Sequence, residues 1–235
     1  MQANPRTTLL MVLALFCLLS KAALGEEVQS HGFIFERWLR DTFFDGYTPE
    51  SYTQKWDIPA EANRHHGHVP VNPKAIKYDT PVGLGDATRQ FQIEEPFLLI
   101  LAFWQQASPT EKHWVNAQAI RIDPDRWKQL WHPIAQKDLD RLIAVIKDDS
   151  LSLDEARAQA KAIKSEPPFT ESVIQVNPKI DGSQRRLQCS LRFDDVFKHL
   201  APEADPKPQD KPTLFGVPLP NPIQSSPRRF ETKER

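Results

Sequence analysis

The run Pro96-Phe-Leu-Leu-Ile-Leu-Ala-Phe-Trp104 limits what this chain can fold into more than any other stretch. A continuous apolar run of strand length, with no polar alternation, reads as a strand buried on both faces. Such a strand needs packed layers above and below it, and the segments around it supply both helices and further strands. The expected class is therefore α/β.

On the N-terminal side, His31–Phe44 places Phe33, Ile34, Trp38, Leu39 and Phe43 at helical spacing before Asp45-Gly46. Tyr52–Ile58 alternates and stops at Pro59, as a strand would. Glu61–His68 is polar and reads as a loop. Val69–Tyr78 reads as extended, with Pro70 and Pro73 confining it to an edge or an irregular strand. Gly85–Ile93 reads as a short helix. Beyond the apolar run, Lys112–Ile122 alternates again.

Asp123-Pro124 opens a long amphipathic helix with Asp as cap, Pro in the first turn and a break near Pro133. Ser152–Ser165 is a second helix, starting with the capping-box pattern Ser152-x-x-Glu155. Glu171–Val176 and Arg186–Phe193 read as a hairpin around the turn Lys179–Ser183. Residues 201–235 hold eight prolines and few large apolar groups, a composition expected to stay extended or disordered.

Residues 1–25 carry Arg6, the apolar run Leu9–Leu19 and a small-residue end at Ala23-Leu24-Gly25. This is the pattern of a cleaved signal peptide, implying a secreted or periplasmic protein. The run is shorter than the roughly 20 residues that span a bilayer, so no stable membrane span is expected after cleavage. Residues 26–200 form the expected domain. Of 30 basic and 31 acidic side chains, cleavage removes only Arg6 and Lys21, leaving a net charge of about −3. Bulk charge therefore does not hold nucleic acid, and any such contact comes from a local patch. Cleavage also removes Cys17, so Cys189 has no internal disulfide partner and stability rests on packing.

Within this frame Glu36, Asp57 and Lys74 carry the chemistry. Metal-dependent hydrolysis of a phosphodiester needs a cation that polarises the phosphate and acidifies an attacking water. Mg²⁺ takes oxygen ligands and usually only one or two carboxylates, which Asp57 and Glu36 can supply. Lys74 would orient or deprotonate the water and offset developing charge. Taken singly, each residue is also explained as an ordinary solvated side chain; their order along the chain is what links them.

The segments FERW, YTQKWDIP, PVNPK and GLGDATRQF, in the order helix, strand, strand, short helix, strand, resemble the PD-(D/E)XK nuclease superfamily over roughly residues 32–104. The resemblance implies a restriction-endonuclease-like core of helix, β-meander, helix and strand. The C-terminal helices and hairpin would be additions to it. It makes Asp57 the first metal-binding carboxylate and maps the (D/E)xK element onto Asn72-Pro73-Lys74. Asn72 is neutral where a second carboxylate is usual, leaving its amide oxygen as a weak third ligand and Glu36 as the further acid. The implied cofactor is Mg²⁺ or Mn²⁺, and the implied partner is nucleic acid.

Gly83–Gln90 either cradles a phosphate on backbone amides, with Arg89 and Gln90 beside it, or simply turns the chain with Asp86 as helix cap. Arg185 and Arg186 are candidate phosphate contacts, set among Lys179, Arg192, Asp181, Asp194 and Asp195. His65, His66 and His68 suit Zn or Cu rather than Mg, and adjacent loop histidines seldom face one ion. Three functions compete. The first is an exported metal-dependent phosphodiester hydrolase. The second is a catalytically inactive nuclease-fold binding or interaction protein in the extracytoplasmic space. The third is an extracytoplasmic domain with a flexible tail, unrelated to nucleases.

Overall fold

Residues 97–103 form a strand with every side chain buried, and the whole chain is arranged around it. The computed structural model describes residues 31–49 and 55–224. The expected signal peptide and the start of the expected strand at 52–58 lie outside the described residues.

Helix α1 spans 31–43. Strand β1 (Val71–Lys77) is followed by β2 (Val82–Asp86), a five-residue helix α2 (Ala87–Phe91), and the long hairpin β3 (Phe97–Ser108) and β4 (Glu111–Ile122). Helices α3 (Pro124–Trp131), α4 (Gln136–Lys147) and α5 (Leu153–Lys164) come next, then the hairpin β5 (Gln175–Asp181) and β6 (Gln184–Leu191). Helix α6 (Phe193–His199) and short strands β7 (Thr213–Leu214), β8 (Val217–Pro218) and β9 (Ile223–Gln224) complete the order. The fold is mixed α/β, with one sheet ordered β1-β3-β4-β9 and another β2-β6-β5.

Alternation along β3 explains the layering. Leu98, Ile100 and Ala102 face a cluster with Phe35, Leu39 and Phe43 of α1. Phe97, Leu99, Leu101 and Phe103 face the opposite cluster, which includes Trp127, Leu139 and Leu142 of α3 and α4. Each face of the strand is thus covered, as the apolar run requires. β1 is an edge strand, parallel to β3, with Asn72 opposite Leu99 and Lys74 opposite Leu101.

Several expectations are corrected. Residues 55–57 are bends, and only Ile58 pairs, in an isolated antiparallel bridge to Val71. A β-meander is not formed among the described residues, because Pro59 lacks an N–H to extend that ladder and β1 pairs with β3 instead. Gly83 and Gly85 sit in a strand, β2, whose pairing to β6 shifts between them. Gly85 has φ +93°, a conformation that glycine allows cheaply. The break expected near Pro133 is found, and it parts α3 from α4 at His132-Pro133. Asp123 holds the cap position of α3 without a side-chain cap bond. β5 starts at Gln175 rather than Glu171, and Phe193 opens a helix rather than closing a strand.

The largest correction concerns the proline-rich segment. Through residue 224 it is packed: Leu214, Leu219 and Ile223 are buried beside α1's cluster. β9 pairs with β4. Asn221 takes the Trp114 amide on its side-chain oxygen (2.8 Å) and donates to the Trp114 carbonyl (3.0 Å). Prolines lower the entropy cost of an extended path, and carbonyls of the segment still accept bonds from Tyr78 and Asn116.

Candidate functional site

Asp57 is aimed by its neighbours. Glu95 accepts hydrogen bonds from Lys55 (2.5 Å) and from the Trp56 indole (3.1 Å). The Trp56 ring lies 5.3 Å from that of Phe97. On the other side Ile58 is tied to Val71 by two backbone bonds. With Trp56 and Ile58 both held, Asp57 projects toward β1.

There Asn72 and Lys74 share one face of β1, two residues apart. The Lys74 ammonium lies 3.6 Å from the Asp57 carboxylate, donates to the Asn72 side-chain oxygen, and donates to the Pro73 carbonyl at 2.9 Å. Those three contacts match the three donors of a lysine. Glu36 enters from α1, next to fully buried Phe35. Burial raises its carboxyl above the usual glutamate range, and the charge of Asp57 raises it further, while Lys74 and Arg40 oppose the shift. Asp57, Asn72 and Lys74 therefore form one contact group, and Glu36 lies within reach of the charges of Asp57 and Lys74. Arg40, one turn along α1 from Glu36, belongs to the same electrostatic field; its i+4 spacing from Glu36 was the sequence signal for it.

The donors for a cation are two carboxylates and one amide oxygen. Among the described residues no three His, Cys, Asp or Glu side chains come together as a metal-binding group. An all-oxygen set with two carboxylates fits Mg²⁺, which keeps several of its waters. A divalent charge there would also offset the Asp57 charge that raises the Glu36 carboxyl. The residues present fit the ion.

The other candidates fare differently. Asp86 caps α2, accepting from the Arg89 amide at 2.9 Å, so the cap explains that residue. Arg89 is exposed on α2. Gln90 is only 5 % exposed and its carbonyl accepts the Trp127 indole at 2.7 Å, so its side chain faces the interior rather than a ligand backbone. Arg185 is also corrected: its guanidinium donates to the carbonyls of Asp148 (2.6 Å) and Leu151 (2.9 Å), tying the end of α4 to β6. Arg186 is exposed, its Nε donating to Gln184. His66 stacks on Phe215 with ring centroids 3.8 Å apart and packs edge-on against Phe43 and Phe44. That is an aromatic packing role, not a ligand's. A separate cleft of about 570 Å³, lined by Phe91, Glu94, Lys128, Trp131 and Ile134, contains none of the four grouped residues.

Among the described residues no helix is long and apolar enough to cross a membrane. Comparison with known protein families, with curated proteins and with solved structures finds no match.

Proposed function

We propose that the chain is a metal-dependent phosphodiester hydrolase acting outside the cytoplasm. One observation carries this reading: Glu36, Asp57, Asn72 and Lys74 come from a helix, a bend and an edge strand, yet share one charged group. Mg²⁺ or Mn²⁺ held by Asp57, Glu36 and the Asn72 amide oxygen would polarise the phosphate and acidify water. Lys74 holds Asp57 and Asn72 in place and keeps a positive charge where the phosphate oxygens gain negative charge.

A restriction-endonuclease-like core that lacks the expected β-meander among the described residues belongs to the same proposal. Its support is the helix, the antiparallel bridge Ile58–Val71, and the crossover from β1 through α2 to parallel β3. The leader composition of residues 1–25 supports export. The neutral Asn72, whose side-chain oxygen is taken by Lys74, favours one second reading: a protein of that fold that binds without cutting.

Plasmid cleavage by the purified chain with Mg²⁺ separates the two. The expected result is relaxed or linear plasmid, with activity reduced about 100-fold or more in Asp57→Ala. No cleavage by either protein, or equal cleavage by both, overturns the hydrolase reading.

A further inference from the structure

The outward face of the β2-β6-β5 sheet carries positive charges that pair with no carboxylate among the described residues. Side chains alternate across a strand, and Val176, Ile180, Leu187, Cys189 and Leu191 all enter the core. The opposite face therefore presents Asn177 and Lys179 of β5 and Arg186 and Gln188 of β6. Lys179 and Arg186 stand directly opposite each other, as do Asn177 and Gln188. Both cations are exposed. Lys164 of α5 reaches the same face, its ammonium 3.3 Å from the Asn177 side-chain oxygen. Burial and the nearby Lys179 both hold that ammonium below the usual lysine range.

The acids nearby are committed elsewhere. Asp181 accepts from the amides of Ser183 and Gln184 and from both their side chains, which closes the hairpin turn. Asp86, opposite Gln188, caps α2. Among the described residues, Lys164, Lys179 and Arg186 have no salt-bridge partner. Like charges directly opposite on a sheet are destabilising, so an anion spanning them gains from relieving that repulsion. Asn177, whose amide donates to Gln175 and Ser190, and the neighbouring Gln188 add no negative charge to the strip.

We infer that this Lys164–Lys179–Arg186 strip binds a nucleic-acid sugar–phosphate backbone, holding the strand by charge without reading its sequence. The choice of this polyanion rests on the phosphodiesterase reading. The strip itself rests on the unpaired cations and their register.

The test is fluorescence anisotropy with labelled duplex and single-stranded oligonucleotides in EDTA, where nothing is cut, over a range of salt. Three phosphate contacts give a slope of log affinity on log salt of about −2 to −3. Lys179→Gln/Arg186→Gln is expected to flatten that slope by roughly 1.4–1.8 and to weaken binding roughly tenfold or more at 0.1 M salt. The control pair Lys137→Gln/Arg141→Gln, on α4, removes the same charge and is expected to leave the slope in place. Thermal unfolding checks that both variants are folded. Unchanged binding in the strip variant, an equal loss in the control, or tighter binding to polyglutamate or phosphatidylserine vesicles overturns the inference. Mg²⁺-dependent cleavage alongside unchanged binding in the strip variant sinks this inference alone. Strip-dependent binding by a chain that never cuts sinks the hydrolase reading alone.

Discussion

Glu36 shows what a half-buried carboxylate costs. It is partly buried, the Asp57 charge reaches it, and both effects favour its protonated form. The sign follows: the folded chain binds this proton more tightly than the unfolded chain, so stability from this group rises as pH falls and is lowest once Glu36 is ionised in both states. Glu36→Gln is therefore expected to raise the melting temperature at pH 7 by roughly 1–3 °C, a gain below about 1 kcal/mol for a chain this size. The same change removes a cation ligand and is expected to abolish Mg²⁺-dependent cleavage. In the unaltered protein, activity should fall on the acid side at a pH above the ordinary glutamate range. Calorimetry and a pH–rate profile check both, and a lowered melting temperature in Glu36→Gln would refute the account. Glu36, Asp57 and Lys74 were legible as candidates only together, through their carboxylate–carboxylate–lysine order along the chain. Their mutual distances were not legible, because they depend on Glu95 holding Lys55 and Trp56.

At the scale of elements, the hairpin β5–β6 shares an apolar cluster with α4 and is tied to its end by the Arg185 side chain. Arg185 donates to carbonyls at the end of α4 and in the following turn, where a helix leaves acceptors without intrahelical partners. Arg185→Ala is expected to cost about 2–3 kcal/mol, since hydrogen bonds from a charged donor contribute more than neutral ones. Arg185→Lys should recover little of it, because an ammonium lacks the planar fork that reaches several carbonyls. Urea unfolding measures both, and oligonucleotide affinity per folded molecule should stay unchanged. The sequence pattern Arg185-Arg186 reads as a pair, yet strand alternation sends the two to opposite faces. Elements with strong local signals were legible: α1, β3, β4 and the capping box of α5 (Ser152 and Glu155). β2 was not, because two glycines in five residues read as a turn until β6 lies beside them.

For the molecule as a whole, the segment after α6 completes the core. It buries Leu214, Leu219 and Ile223 over α1's cluster and occupies the edge of β4 through Asn221 and β9. Full burial of such side chains contributes about 1.5–3 kcal/mol each, which is large against a total stability of about 5–15 kcal/mol. It also blocks an exposed strand edge, a template for aggregation. A chain ending at Leu200 is expected to lose cooperative unfolding and to elute as oligomers in size-exclusion chromatography. A folded monomer of that length would show that the segment is dispensable. The sequence by itself determined the α/β class, the doubly covered strand at 97–103 and the capping box of α5, because hydrophobic period and capping chemistry act over a few residues. Only the tertiary structure decided which strand lies beside β1, that the prolines pack rather than wander, and that Asp57, Asn72 and Lys74 meet with Glu36 in reach of their charges. Those outcomes depend on contacts between residues far apart in the chain, where burial and charge outweigh local preference.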